Sequence, residues 1–286
     1  MDLETEIGNN VNRALIEDIG TGDLTALLIP AGDTATASVM SRENAVLCGT
    51  KWFEACFWHL APEIELRWSI HDGIAIHAGQ ELCRIAGSAR VLLTAERSAL
   101  NFLQLLSAVA TQTRRYVDAI AGTGAVIVDT RKTLPGLRLA QKYAIRCGGG
   151  TNHRMGLYDG ILIKENHIIA AGSIERALRA AEEIATPAQF IQIEVETLDD
   201  LRNALNAGAR MILLDNFDLD GLREAVGLNA RSTNTRAVLE ASGGVTLESV
   251  RAVAETGVDR ISIGSLTKDI KAVDLSMRFS SKTNSR

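Results

Sequence analysis

In the stretch VIVDTRKTLPGLRLAQKYAIRCGGGTNHRMG, residues 126–156, six cationic side chains follow one another: Arg131, Lys132, Arg138, Lys142, Arg146 and Arg154. A further cation, Lys164, ends the apolar run GILIK at 160–164. The chain as a whole has a formal charge of -5, so this positive charge is local. Gathering cations away from water is costly unless anions compensate them. Glu194 and Asp215 offer two negative charges, and the remainder is expected from a polyanionic ligand. Arg138, Lys142 and Arg146, on the helical run LRLAQKYAIR, read as ordinary solvated helix cations. His153 beside Arg154 suits either donation to a carboxylate, proton transfer or the structuring of its own loop. Cys147 abuts a glycine run but has no evident activating base, so it is not read as a nucleophile.

Six β-like runs must position these groups: AVIVD (125–129), GILIK (160–164), FIQIEVE (190–196), MILLD (211–215), AVLEASGG (237–244) and RISIGS (260–265). Helical stretches at 174–184, 198–208 and 247–257 separate several of them. This alternation predicts parallel strands with crossover helices. Six strands are fewer than eight, so the expected architecture is an incomplete α/β barrel. Polar residues gather where the strands stop: Asp129 to Lys132, Lys164 to His167, Glu194 and Glu196, Asp215 and Asn216, Ser242 to Gly244, and Gly264 with Ser265. The C-terminal ends of barrel strands form the active-site face. Within FIQIEVE, strand parity sets Gln192, Glu194 and Glu196 towards the barrel, and Ile191, Ile193 and Val195 towards the helices. The small residues of SGG and IGS end the last two strands, where backbone N–H groups can approach a phosphate.

The first 90 residues are of a different style. A helix is expected over 3–17, a turn at GTGD (20–23), strands at 34–41, 64–70 and 73–87, and a helix at 51–60. From 91 to 121 apolar residues recur at helical spacing, as one long helix or two abutting ones bridging two domains. The net negative charge argues against general nucleic-acid binding. No apolar run reaches the roughly 20 residues of a membrane span. The acidic start MDLETEIGNN is unlike a signal peptide, so the cytoplasm is the expected location. Cys48, Cys56, Cys83 and Cys147 are scattered, without zinc-ligand spacing, and are expected as reduced, mostly buried thiols.

The block DTRKTLPGLRLAQKYAIRCGGGTNHRMGLYDGILIKENHI (129–168) resembles the signature of the quinolinate phosphoribosyltransferase family. EDIGTGDLT (17–25), TAERSALNFLQ (94–104), IEVETLDDL (193–201), LLDNF (213–217) and SIGSLTKDIKAVDLSMRF (262–279) resemble it too, so the likeness covers nearly the whole chain. Small departures are Thr151 and Ala108. The resemblance implies an N-terminal open-faced α/β sandwich, residues 1–110 joined by 267–286, and an incomplete TIM-like α/β barrel over 111–266. It implies a homodimer, or a larger assembly of dimers, in which Arg97 enters the partner's active site. The implied reaction converts quinolinate and phosphoribosyl pyrophosphate, with Mg²⁺, to nicotinate mononucleotide, pyrophosphate and CO₂, a step of de novo NAD synthesis. By the same resemblance Arg131, His153, Arg154 and Lys164 surround the quinolinate carboxylates. Lys132, Glu194 and Asp215 contact the phosphoribosyl pyrophosphate, with the carboxylates near the ribose hydroxyls and Mg²⁺, and Thr130 is a further substrate-binding position. Lys132, Lys164, Glu194 and Asp215 are the implied catalytic set. Ser242, Gly243 and Gly244, with Ile263, Gly264 and Ser265, bind the 5′-phosphate through backbone N–H groups.

Three alternatives compete. A related phosphoribosyltransferase could act on another acceptor, although the TRKT, NHR and LIKENH runs disfavour it. A Schiff-base aldolase could use Lys164, but it has no need of Arg97, Arg131 and Arg154 together. A catalytically silent phosphometabolite binder would hold ligand and turn nothing over.

Overall fold

The computed structural model describes residues 2–232 and 236–280. In chain order the first half contains α1 (Leu3–Ile19), β1 (Thr34–Ser41), β2 (Ala45–Val46), α2 (Thr50–Leu60), β3 (Glu65–Trp68), β4 (Ala75–Ile76), β5 (Glu81–Ser88) and α3 (Ala89–Ala119). There follow β6 (Val126–Val128), α4 (Arg138–Cys147), β7 (Gly160–Ile163), α5 (Glu165–Ala171), α6 (Ile174–Ile184), β8 (Phe190–Val195) and α7 (Leu198–Asn206). The last elements are β9 (Met211–Asp215), α8 (Leu219–Ala230), β10 (Val238–Ser242), α9 (Val250–Ala254), β11 (Arg260–Ser262), α10 (Ser265–Lys268) and β12 (Leu275–Phe279).

The chain divides into two compact units, one of residues 1–114, 133–149 and 268–286, the other of 115–132 and 150–267. The first holds a four-stranded antiparallel sheet in the order β12-β1-β5-β3. The C-terminal strand β12 returns to pair with β1, while residues 281–286 lie outside the described residues. Trp52, Phe53 and Phe57 on one face of α2 are fully buried in this unit. The predicted bridge over 91–121 is one continuous helix, α3.

Helix α4 corrects two expectations. Residues 133–149 group with the first unit instead of the barrel, because α4 packs on α1. Lys142, expected on a solvated face, is fully buried there, because α4 is covered on several sides, at Ala140, Gln141, Lys142, Ala144 and Ile145.

The second unit is a six-stranded parallel sheet in the order β6-β11-β10-β9-β8-β7. Each of the six β-like runs of the sequence supplies one strand. A single parallel bridge joins Thr151 to Val128 beside β6. Local chemistry starts the crossover helices on cue. Ser173, Thr197 and Asp218 cap α6, α7 and α8, their side-chain oxygens accepting from the backbone N–H groups of Arg176, Asp200 and Gly221. Gly208, at φ +84°, turns the chain after α7 back into β9. Parallel pairing throughout puts the C-terminal ends of all six strands on one edge.

Candidate active site

Strand register arranges the inward side chains in layers. Leu162 is level with Gln192, and Glu194 is level with Leu213, which pairs in turn with Glu240 and then Arg260. One layer higher, Asp215 is level with Ser242, and Ser262 with Val128. Alternate residues of each strand share a face, so Leu162 and Lys164, Gln192 and Glu194, Leu213 and Asp215, and Glu240 and Ser242 point the same way.

A cavity of about 250 Å³ opens at this mouth. Arg131, Lys132, His153, Arg154, Lys164 and Glu194 line it together with Thr130 and Ser242. These eight residues were all singled out in the sequence. Asp129, also marked at a strand end in the sequence, joins them, and the structure adds Leu162, Leu213, Glu240 and Ser262.

Lys164 sits at the end of β7, where its ammonium lies 2.5 Å from Glu194 Oε2. Its own N–H donates to His167 Nδ1 at 3.0 Å, which anchors the lysine at the start of α5. The Lys164 side chain is half exposed, while that of Glu194 is 13% exposed. Arg154 donates from Nη1 to the Gly160 carbonyl at 3.2 Å. Its Nε is buried without a hydrogen-bond partner among the described residues. Burial, reinforced by the neighbouring Arg131 cation, pulls the Arg154 guanidinium below its ordinary pKa, against the opposing pull of Asp159.

His153 is buried and both ring nitrogens are engaged. The Arg154 N–H donates to Nδ1 at 2.8 Å, so Nδ1 must be unprotonated. Nε2 then carries the proton and donates to Gln192 Oε1 at 2.7 Å. The ring also meets Phe190 edge-on, with centroids 5.2 Å apart. Of the roles open in the sequence, this geometry favours a fixed neutral imidazole over a shuttle.

The mouth holds more anions than Glu194 and Asp215. Asp129 and Glu240 are both fully buried beneath the cations. Asp129 is committed to its own loop, accepting from Asn152 Nδ2 at 2.7 Å and from the His153 N–H at 2.8 Å. Glu240 accepts from the Ser262 hydroxyl, and its Oε2 lies 2.9 Å from Arg260 Nε, an ion-pair distance although the N–H is not aligned for a hydrogen bond. Neither Lys132 nor Arg154 has a carboxylate at ion-pair distance among the described residues. Alternation within VLEAS and RIS carried the signal for Glu240 and Ser262, and it is masked there by flanking apolar residues.

The remaining predicted positions lie beside the cavity or apart from it. Asp215, above Leu213, accepts from Asn216 Nδ2 at 2.9 Å. The Asn216 N–H donates to the Ser242 carbonyl at 2.9 Å, tying the ends of β9 and β10 together. Gly243 follows at φ +106°, where a Cβ would stand 2.2 Å from Asn216 Oδ1. Gly264 lies under the Lys132 side chain, 3.4 Å from its Cδ to a Cβ built there. Ile263 is a correction: it is buried and its N–H donates to the Val128 carbonyl at 2.9 Å, so that amide is not available to a phosphate. Arg97 is exposed on α3 in the first unit and is no part of the second unit's cavity.

The only group of three metal-ligating side chains found among the described residues is Cys48, Asp72 and Cys147, in the first unit. The mouth offers two hard oxygen donors on adjacent strands, Glu194 and Asp215. That set fits an ion held mostly by a ligand's oxygens and water, as Mg²⁺ commonly is, and not an all-protein cage.

Comparisons with known proteins agree with this architecture. The family described as quinolinate phosphoribosyl transferase, C-terminal domain, matches residues 109–278, and its N-terminal domain matches 23–107. A probable nicotinate-nucleotide pyrophosphorylase [carboxylating] of Bacillus subtilis is 42% identical, over 93% of this chain and 91% of that protein. The nicotinate-nucleotide pyrophosphorylase [carboxylating] of Mycobacterium leprae is 40% identical, over 94% and 95%. The solved nicotinate-nucleotide pyrophosphorylase of Francisella tularensis superposes with a TM-score of 0.93 at 41% identity, covering 98% of both chains.

Proposed function

Because the chain belongs to the quinolinate phosphoribosyltransferase family, we propose that its strand-end cavity joins quinolinate to phosphoribosyl pyrophosphate and releases pyrophosphate and CO₂. The product is nicotinate mononucleotide, and the step belongs to de novo NAD synthesis. The observation that carries this reading is the cationic mouth, where, among the described residues, Lys132 and Arg154 face the cavity without carboxylate partners and the buried Arg154 Nε lacks an acceptor. Two carboxylates on one ring, with a phosphate and a pyrophosphate on the other substrate, supply the anions.

Arg131, Arg154 and Lys164 bind the quinolinate carboxylates by charge-assisted hydrogen bonds, the arginines in bidentate geometry. His153, fixed by the Arg154 N–H and Gln192, supports that wall as a neutral ring. Lys132, with Thr130 beside it, meets the phosphoribosyl pyrophosphate, and Glu194 and Asp215 face the ribose hydroxyls. The amides of Ser242 to Gly244, Gly264 and Ser265 take the 5′-phosphate. Glu194 or Asp215, together with oxygens of the substrate, would hold a Mg²⁺ ion, which would supply charge neutralisation for the departing pyrophosphate.

The C1′–O bond to pyrophosphate breaks through an oxocarbenium-like state, stabilised by preorganised charges and not by a covalent enzyme adduct. The pyridine nitrogen lone pair forms the new bond to C1′. The resulting pyridinium draws electrons from C2, so the C2–carboxylate bond breaks, CO₂ leaves, and C2 keeps the electron pair and takes a proton. Lys164, 2.5 Å from a carboxylate and half exposed, is unlike the desolvated amine of a Schiff-base enzyme.

The proposal extends to a cytoplasmic homodimer in which Arg97 reaches the partner's quinolinate site. Among the described residues no helix is long and apolar enough to cross a membrane. Mixing Arg97→Ala and Lys164→Ala chains then restores turnover, because one site of each mixed dimer has both groups intact. The primary test is turnover by the purified protein with quinolinate, phosphoribosyl pyrophosphate and Mg²⁺, following CO₂ and nicotinate mononucleotide together. Both products should depend on all three additions. Pyrophosphate release only with a different acceptor would reject quinolinate as substrate.

A further inference from the structure

Cys48 and Cys147 are far apart in the chain and adjacent in the first unit. Their sulfurs and a carboxylate oxygen of Asp72 all lie within 4.8 Å of one another. Asp72 is already occupied. It accepts from the Gly49 and Thr50 N–H groups at 3.0 and 3.2 Å, at the start of α2, and from the Tyr143 hydroxyl at 2.9 Å. A soft metal would therefore have to strip a carboxylate that serves a helix N-terminus and would find only two thiols beyond it. The two thiols hydrogen-bond to each other.

We propose that Cys48 and Cys147 form a peroxide-oxidisable dithiol pair, and that closing it into a disulfide lowers the activity of the cationic mouth. The two thiols are chemically unequal. Cys147 is partly exposed, and hydrogen bonding from Cys48 above all, with help from Tyr143 and Arg146, pulls it below the ordinary thiol pKa. Cys48 is fully buried, and desolvation pushes it well up. The exposed thiolate is the nucleophile and the buried thiol resolves it. The Cys147 sulfur attacks one peroxide oxygen, the O–O bond breaks, and the departing hydroxide takes a proton to become water. Cys48 sulfur then attacks the sulfenic sulfur, the S–S bond forms, the S–O bond breaks, and the Cys48 proton leaves with that oxygen as a second water. The two thiols lose two electrons and peroxide gains them.

Backbone anchoring decides which side moves. The Cys48 N–H donates to Ser107 Oγ at 2.9 Å, and the same hydroxyl donates to the Cys48 carbonyl at 3.1 Å. Cys147 is the last residue of α4 and runs directly into Gly148, Gly149 and Gly150, then Thr151 to Arg154. A disulfide needs the sulfurs about 2.05 Å apart, so Cys147 is the side that is drawn in. Gly148 has no room to follow freely, since a Cβ there would lie 2.5 Å from the Ala110 carbonyl oxygen. The strain passes along the chain towards His153 and Arg154. In a reducing compartment such a bond is transient and regulatory, not structural.

The activity part of this proposal rests on the reaction assigned above, whereas the bond itself does not. The test treats the full-length reduced protein with hydrogen peroxide, maps thiols by peptide mass spectrometry, and measures turnover before and after dithiothreitol. A Cys48–Cys147 disulfide is expected, with a loss of kcat/KM of about tenfold or more that dithiothreitol reverses. Cys147→Ser should keep its basal rate and lose the peroxide response. Cys48→Ala should keep its basal rate and instead accumulate oxidised Cys147. Peroxide-treated protein that retains both thiols, or carries over-oxidised Cys147 with free Cys48, overturns the proposal. A mapped bond with unchanged kcat/KM overturns the regulatory part. A reduced protein without turnover counts against the assigned reaction alone, and the mapped bond still decides the dithiol site.

Discussion

Gly243→Ala tests whether the β9 and β10 ends form the rigid phosphate cradle assigned to them. At φ +106° an alanine pays backbone strain of about 1–3 kcal/mol. Its Cβ would also stand 2.2 Å from Asn216 Oδ1 and 3.0 Å from the Asn216 backbone nitrogen. Ordinary carbon contacts are about 3.5–4.0 Å. The Asn216 side chain must therefore swing away, breaking its 2.9 Å bond to Asp215. That loss adds about 0.5–1.5 kcal/mol. The Asn216 nitrogen cannot swing with it, because it is bonded to the Ser242 carbonyl. The expected destabilisation is roughly 2–4 kcal/mol. Gly244→Ala is the control, since that residue, at φ +59°, has nothing within 4 Å of a built Cβ. It should lose only about 1–2 kcal/mol of left-handed strain. Urea unfolding of both variants measures this difference. Initial rates should show KM for phosphoribosyl pyrophosphate raised about tenfold or more in Gly243→Ala, the equivalent of some 1.4 kcal/mol reaching the site. Equal stability and equal KM in the two variants would refute both the tight packing and the cradle.

Arg131→Ala and Lys164→Ala should each lower kcat/KM by about 10²-fold or more, with circular dichroism and thermal midpoint close to the parent; near-normal rates would remove that residue from the site. Glu240→Gln leaves the largely buried Arg260 without its counter-charge 2.9 Å away, so stability should fall by about 3 kcal/mol in urea, and an unchanged midpoint would mean the pair contributes nothing. Chelation with EDTA should abolish turnover and Mg²⁺ should restore it, while Mg²⁺ without phosphoribosyl pyrophosphate leaves the thermal midpoint unchanged; a shift by the metal alone would reveal an all-protein site. Iodoacetamide should modify Cys147 with a pH midpoint below that of an ordinary thiol, since its folded pKa is lowered, and Cys48 should stay protected; equal labelling of the two would refute the asymmetry.

What was legible in the sequence is what local periodicity encodes. A parallel strand covered by helices is an apolar run of a few residues, and six such runs became six strands. FIQIEVE alternates openly, so its parity correctly turned Gln192 to the side of His153 and Glu194 to that of Lys164. VLEAS and RIS obey the same period with less contrast, and the buried Glu240 and Ser262, with the partly exposed Arg260, stayed hidden within them. Lys142 shows the converse failure. Its charge outweighed its position in the reading of LRLAQKYAIR, a helix that packing covers on several sides. Ile263 failed for another reason: a small-residue strand end signals free amides only where the sheet has stopped, and here the ladder to Val128 runs one residue further. The Cys48 and Cys147 pair lies beyond any periodic argument. Its two halves sit on different elements, and only the packing of the first unit brings them together. Chemistry carried on one strand can be inferred from alternation, whereas chemistry made by two distant segments needs the fold, and this separates the cationic mouth from the dithiol pair.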